Sequence, residues 1–223
     1  MLSLRDKEDK EKYYQDDEMW DKAENELREV LNELNIDYTE EIGEAAFYGP
    51  KLDVNVKPAV GNEYTLSTCQ LDFCLPMKFD LKYVSKDGDK KTPVVLHRAI
   101  LGSLDRFMAY ILEETKGALP LWLSPTQINV IPVNNEYHTE YANKIYELLK
   151  DNGFRVNIDL RDEKLSYKMR ESQTKKIPYT LILGDKEKEN NNISYRCFGN
   201  TDTKTIDTHE FILLLKEQIR DKK

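Results

Sequence analysis

The sequence predicts an α/β chain in two parts: an α+β part on an antiparallel sheet over residues 1–122, then a small mixed-sheet α/β domain over residues 123–223. Three observations carry this. Between residues 36 and 84, short alternating segments are separated by turn signals, as hairpin-linked strands require. From residue 128 onward, segments of period 2 and period 3.6 interleave as strand-helix-strand-helix-strand, which implies a partly parallel sheet. Between these regions, Pro120 and Pro125 bracket a non-helical passage where the charge balance changes. Residues 1–126 hold 16 Lys+Arg and 25 Asp+Glu, whereas residues 127–223 hold 17 and 16.

Taken in order, residues 2–12 are charge-dense, a strand end, a tail or a linker, and are given no fold of their own. Met19, Trp20, Ala23, Leu27, Val30, Leu31 and Leu34 then recur at helical spacing, with Asp16 or Asp17 as cap and Asn35 past the end. Strands are expected over 36–41, 46–56, 63–73 and 79–84, with turns at Tyr48-Gly49-Pro50, Val60-Gly61-Asn62 and Lys86-Asp87-Gly88-Asp89. Pro93-Val94-Val95-Leu96 reads as a buried strand running into His97. A helix follows from about Ser103, with Leu104, Phe107, Met108, Ile111 and Leu112 on one stripe. In the distal part, strands are expected over 128–133, 155–160, 179–183 and 193–198. Helices are expected over 137–150, about 164–175 and about 207–220.

The 223 residues have a formal net charge of -8 and are 39% hydrophobic without any long apolar run, so neither a membrane span nor a secretory leader is visible. The expectation is a soluble, cytoplasmic protein with no membrane partner. Cys69, Cys74 and Cys197 lack ligand-pair spacing, which argues against a disulfide framework or a structural zinc knot. Residues 161–188 hold eight basic side chains, Lys164, Lys168 and Arg170 among them, against five acids. A local positive face there can bind nucleic acid despite the acidic total.

Two segments carry candidate chemistry. In residues 97–107, Arg106 falls in the first turn of the expected helix, where the macrodipole disfavours a cation by roughly 0.3–1 kcal/mol. An arginine placed there can fork onto a phosphate beside free backbone N–H groups. In the other, residues 43–51 precede Thr68-Cys69-Gln70-Leu71-Asp72-Phe73, where alternation puts Thr68 and Gln70 on one strand face, a cleft wall or a solvated surface.

These segments resemble the threonyl-tRNA synthetase family in order and nearly without gaps. The resemblance rests on Asp17-Glu18-Met19-Trp20, residues 43–51, Gln70-Leu71-Asp72-Phe73, residues 97–107, Trp122-Leu123-Ser124-Pro125, Asp159-Leu160-Arg161-Asp162-Glu163-Lys164 and residues 178–186. It implies the second half of a class II catalytic domain followed by an anticodon-binding domain. By that resemblance Arg106 grips ATP phosphate as the third signature arginine, and Lys51, Tyr48, Thr68 and Gln70 wall the pocket for amino acid and adenylate. His97 matches one of three ligands of a Zn2+ that holds threonine directly, and Mg2+ is expected with ATP. Direct ligation would reject valine, which leaves a polar site unpaired. Asp162, Lys164, Arg170, Glu187 and Arg196 match the anticodon-binding side, so the partners implied are tRNA(Thr), ATP, threonine and a second copy in a homodimer.

The family's editing region, dimerisation motif, second signature motif and other two zinc ligands match nothing in these residues. The chain by itself is therefore expected not to charge tRNA, since one histidine cannot make a three-ligand site. It also departs inside the matched part. Tyr64-Thr65-Leu66-Ser67-Thr68 stands where the family has Trp-Gln-Cys-Gly-Thr, which puts a threonine where a glutamine is expected near ATP. Asp162 stands for an anticodon-contacting asparagine and can only accept hydrogen bonds. The alternative expectation is a non-catalytic paralogue acting as a tRNA-binding or partner-binding module.

Overall fold

A computed structural model describes residues 1–59 and 61–223; Val60, expected in a turn with Gly61 and Asn62, lies outside them. The backbone divides into two compact units, Met1–Tyr110 and Ile111–Lys223.

The first unit is built on a five-stranded sheet in the order β2-β1-β3-β4-β7, from β1 (Leu2–Leu4), β2 (Glu40–Ile42), β3 (Lys51–Val56), β4 (Tyr64–Asp72) and β7 (Val95–Ala99). A separate hairpin pairs β5 (Tyr83–Val84) with β6 (Lys90–Lys91). Helix α1 (Asp17–Glu33) begins where Asp16 accepts a hydrogen bond from the Met19 N–H, the capping role read from the sequence. It seats a fully buried Trp20 edge-on against Phe73 at 5.4 Å and Tyr13 at 5.5 Å. Each aromatic pair is worth about 0.5–1.5 kcal/mol beyond its buried area. A short α2 (Leu75–Lys78) follows β4, and α3 (Leu104–Glu114) follows β7.

Four expectations need correction here, the first being the strand over 79–84, which is strand only at β5, with Phe79 capping α2. The charge-dense opening contains β1, an inner strand whose Leu2, Ser3 and Leu4 are all buried. Its pairing with β2 is parallel, so the sheet is antiparallel only from β1 through β3 and β4 to β7. The strand running into His97 is not buried: β7 ends the sheet, and Leu96 is 61% exposed. Apolar composition cannot distinguish an edge strand from an inner one.

The second unit carries the mixed sheet β12-β11-β10-β8-β9, from β8 (Ile128–Pro132), β9 (Val156–Ile158), β10 (Tyr179–Leu183), β11 (Asn192–Cys197) and β12 (Lys204–Asp207). β8 runs parallel to β9 and β10, and β11 runs antiparallel to β10 and β12. The helices are α4 (Asn135–Asp151), α5 (Leu165–Thr174), α6 (Asp185–Asn190) and α7 (Thr208–Arg220). Ile128, Val130, Leu181, Leu183, Ile193 and Tyr195 alternate onto one sheet face and form the core with Ile145 and Leu149 of α4 and Phe211 and Leu215 of α7.

The opposite face carries a polar row beside the apolar pair Ile131 and Ile182. Register aligns Asn157, Asn129, Thr180 and Arg196 in one row across β9, β8, β10 and β11. Helix α5 lies on this face, its Ser172 hydroxyl 2.5 Å from the Thr180 hydroxyl. The unit is thus an apolar sandwich on one side and a partly covered sheet face with a polar row on the other.

Candidate functional site

In the first unit, register brings together residues far apart in sequence. Lys51, Gln70 and His97 form one row across β3, β4 and β7, and Asp53, Thr68 and Ala99 form the next. Cross-strand partners share a face, so this is a polar floor spanning three strands. A register shift between Val54 and Asn55 leaves Leu66 as an extra residue in β4 and pairs Thr65 with Asn55. Thr65 consequently returns to the floor face, where its hydroxyl donates to Asn55 Oδ1 at 2.9 Å. Gly102 serves the same bulge: at φ +61° its Cα passes so close to the Leu66 carbonyl that a Cβ would sit 2.6 Å from the oxygen.

A chain of hydrogen bonds runs along the floor from Tyr48 to Lys51. The Tyr48 hydroxyl donates to Gln70 Oε1, and Gln70 Nε2 donates to Thr68 Oγ1 at 3.3 Å. Thr68 Oγ1 donates in turn to Asp53 Oδ1 at 2.6 Å. The other oxygen of Asp53 accepts from Lys51 Nζ at 2.6 Å and Ser3 Oγ at 3.3 Å. This chain orients the Gln70 amide and anchors the Lys51 ammonium. Burial raises the Tyr48 pKa, and the Asp72 carboxylate adds to the effect, so the phenol stays a donor at neutral pH.

His97 is placed by a second buried carboxylate. Its Nε2 lies 2.8 Å from Asp72 Oδ2, while Asp72 Oδ1 accepts the backbone N–H groups of Cys74 and Leu75 at 3.0 and 2.9 Å. The imidazole, 43% exposed, faces the Tyr48 ring at 5.5 Å. No cluster of three or more His, Cys, Asp or Glu able to hold a metal occurs among the described residues. With Asp72 serving α2 and the ring, His97 has no co-ligand here, and the donor set does not fit Zn2+. Arg106 is exposed on α3, its guanidinium 5.5 Å from the Tyr64 ring centroid, with no ion pair among the described residues.

Asp53 and Asp72 are the site residues that sequence reasoning passed over. Their signal is spacing: each stands two residues from a candidate, Lys51 or Gln70, on the same strand face.

In the second unit, the parallel strands β8, β9 and β10 deliver their following loops to one end of the sheet. Asp162 lies in the loop after β9, beside Asn134, the cap of α4, and Asn135, its first residue. Glu187 follows β10 on α6. Its Oε2 accepts the Gly184 N–H at 2.9 Å and its Oε1 the Ser194 hydroxyl at 2.6 Å. Burial pushes its pKa up, but these hydrogen bonds outweigh it and hold the carboxyl below its ordinary value. Arg196 stands two residues from Ser194 on the same face and donates to Thr203 Oγ1 at 3.1 Å, while its buried Nε has no partner. Ser194 therefore links Glu187 to the neighbourhood of Arg196. Lys164 and Arg170 are exposed on and before α5, and their side chains make no hydrogen bond or ion pair among the described residues.

The positive segment is less positive than its composition implies. Asp159 grips Arg161 through both carboxylate oxygens, and Glu171 bonds both Arg161 and Lys175. The Arg161 hydrogen bonds hold the Asp159 carboxyl below its ordinary range.

Comparison with known proteins follows the same division. Residues 6–115 match the family model for the tRNA synthetase class II core domain (G, H, P, S and T), and residues 127–218 match that for the anticodon binding domain. The chain is 55% identical over 222 residues to the threonine–tRNA ligases of Staphylococcus carnosus (strain TM300) and Staphylococcus aureus (strain JH9). All of this chain is covered but only 34% of either relative, so it spans about a third of their length. Its backbone is similar to the crystal structure of the RNA binding domain of threonyl-tRNA synthetase from Cryptosporidium parvum Iowa II. That similarity has a TM-score of 0.86 at 35% identity, over 97% of this chain and 54% of that one. Among the described residues, no helix is long and apolar enough to cross a membrane.

Proposed function

The chain belongs to the threonyl-tRNA synthetase family of class II aminoacyl-tRNA synthetases, and on that premise we propose that it is the C-terminal portion of a threonine–tRNA ligase. Such an enzyme joins the threonine carboxylate to the α-phosphorus of ATP, releasing pyrophosphate. It then transfers the acyl group to a ribose hydroxyl of tRNA(Thr), releasing AMP. The observation that carries this reading is the ordered floor of Lys51, Gln70 and His97 with Tyr48 beside it, on positions that match the family's pocket.

Each residue of that floor has a definite task. Tyr48 fixes the Gln70 carboxamide, which presents polar groups to the amino acid and adenylate, and Thr68 closes the wall. Lys51, poised on Asp53, offers positive charge to the adenylate phosphate. Arg106, free of any carboxylate, is the phosphate clamp for ATP, which arrives with Mg2+. No step is routed through Zn2+, because His97 alone does not hold it. We place the domain boundary after residue 122, the compartment in the cytoplasm, and dimer formation in parts of the enzyme outside this segment.

The distal unit reads the anticodon in this account. Glu187 accepts from a base edge, Arg196 donates to one, and Asp162, Lys164 and Arg170 line the approach. Single-stranded bases are read by edge hydrogen bonds and stacking, so few strong groups suffice. The full chain is expected to bind a threonine tRNA anticodon stem-loop in a salt-sensitive manner, and Arg196→Ala to weaken it about tenfold or more. Equal affinity for unrelated stem-loops, unchanged by that substitution, would leave only nonspecific electrostatics.

One observation favours the paralogue reading. Thr65 occupies the floor where a glutamine is expected, and its hydroxyl is already engaged by Asn55. The chain alone is expected to show no threonine-dependent ATP–pyrophosphate exchange. Adding a polypeptide with the remaining two thirds of a relative restores exchange if the ligase reading holds and leaves it absent if the chain is a paralogue.

A further inference from the structure

The polar row on the distal sheet ends at a cavity of about 340 Å³ between β8, β9 and α5, on the opposite side of Thr180 from Arg196. Lys168 of α5 lines it and is only 2% exposed, yet it has no ion pair among the described residues. Among the described residues the only acceptor its ammonium meets is the Asp159 carbonyl, at 3.1 Å, and the Asp159 carboxylate acts on it only through space. The carboxylates around the cavity are otherwise engaged, Asp159 by Arg161, and Glu171 by Arg161 and Lys175. Asn129, 4% exposed, gives its oxygen to the Asn157 amide at 2.7 Å, and no acceptor among the described residues takes its Nδ2.

Two buried residues thus turn unused donors into one cavity, and one of them carries a full charge. Buried charges are ordinarily paired, because an uncompensated ammonium removed from water is costly. Among the residues that line this cavity, Arg161, Lys168 and Lys175 against Asp159 and Glu171 leave one positive charge in excess, while Lys168 also borders a second pocket lined by Glu136, Asp162 and Glu163. We propose that this cavity binds a phosphate oxyanion, with two Lys168 N–H groups and Asn129 Nδ2 as donors to its oxygens. A nucleobase fits the observations less well, since it leaves the excess charge uncompensated. The phosphate is either an RNA phosphodiester, a source that rests on the anticodon-binding reading, or a free phosphate. An RNA strand engaged near Arg196 would gain a second anchor on the same sheet face.

The test titrates inorganic phosphate into the full chain and follows the Asn129 side-chain amide by 1H–15N NMR. A saturable shift is expected, with affinity lowered about tenfold or more in Lys168→Met, a change that keeps the apolar stem and deletes the charge. No saturable response in the native chain, or equal affinity in Lys168→Met, overturns the proposal. If Lys168→Met does not fold, Asn129→Ala is read by the phosphate-induced shift in thermal midpoint. A reduced shift supports the site and an unchanged one overturns it.

A second arm assigns the source. If RNA supplies the phosphate, Lys168→Met lowers the slope of log K against log salt for the stem-loop by about 0.7–0.9. An unchanged slope with lost phosphate binding assigns the site to free phosphate. Failure of the native chain to bind any RNA would remove the anticodon reading while leaving the phosphate titration to judge the cavity.

Discussion

Gly49→Ala destabilises the first unit by about 3 kcal/mol or more. The Gly49 Cα passes beneath the end of β4 so closely that a Cβ would lie 2.0 Å from the Leu71 carbonyl oxygen and 2.8 Å from its carbon. Both are backbone atoms of an inner strand, so no side-chain rotation relieves the clash. The neighbouring Leu71 N–H donates to Pro50 O at 3.0 Å, which ties the loop to the strand from the other side. Overpacking ordinarily costs about 1–3 kcal/mol, and a rigid backbone contact places this one at or above the upper end. Gly43→Ala is the control. Its φ of +90° imposes strain, but nothing lies within 4 Å of the added carbon, so a loss of only about 1–2 kcal/mol is expected. Urea denaturation followed by Trp20 fluorescence in a Trp122→Phe background compares the two, and a Gly49→Ala protein as stable as Gly43→Ala contradicts the packing account.

Asp53→Ala has the next largest effect. The carboxylate is 1% exposed and collects Lys51, Thr68 and Ser3. Deleting it leaves a mostly buried ammonium without a counter-charge and two hydroxyls without their acceptor. Removing one partner of such a pair costs about 3–5 kcal/mol, far more than the pair itself contributes. The excess is the desolvation of the orphaned charge, so Asp53→Ala/Lys51→Met is expected to regain about half of the loss or more. A double variant no more stable than Asp53→Ala alone would show that Asp53 acts through its hydroxyl partners and not through Lys51.

Much of the architecture was legible because its signals are local. Asp16 caps α1 where the apolar period begins, and β10 spans the same residues in sequence and structure. The failures have equally physical causes. β1 is three residues long and β12 four, too short to display a period against charged neighbours. α6, Asp-Lys-Glu-Lys-Glu-Asn, has no apolar stripe, and its Glu187 supplies the N-terminal hydrogen bond through the Gly184 N–H. Candidate side chains such as Tyr48, Gln70 and His97 could be named from family resemblance. That Lys51, Gln70 and His97 stand in one row follows from strand register, which pairing partners decide. Lys168 was legible only as one cation among eight. Its burial comes from α5 lying on the face with the polar row, a tertiary fact that no run of charges announces.

The two-faced sheet of the second unit also settles how its strands can err. A slip of β10 by one residue would turn Leu181 and Leu183 out of the apolar core toward the α5 face and take Thr180 away from Ser172, and it would do so along the whole strand at once. The spacing between Arg196 and the loops after β8, β9 and β10 is thereby protected by the seating of Leu181 and Leu183 in the apolar core. Turn geometry need not be accurate for the ruler to read correctly; the strand has only one way up.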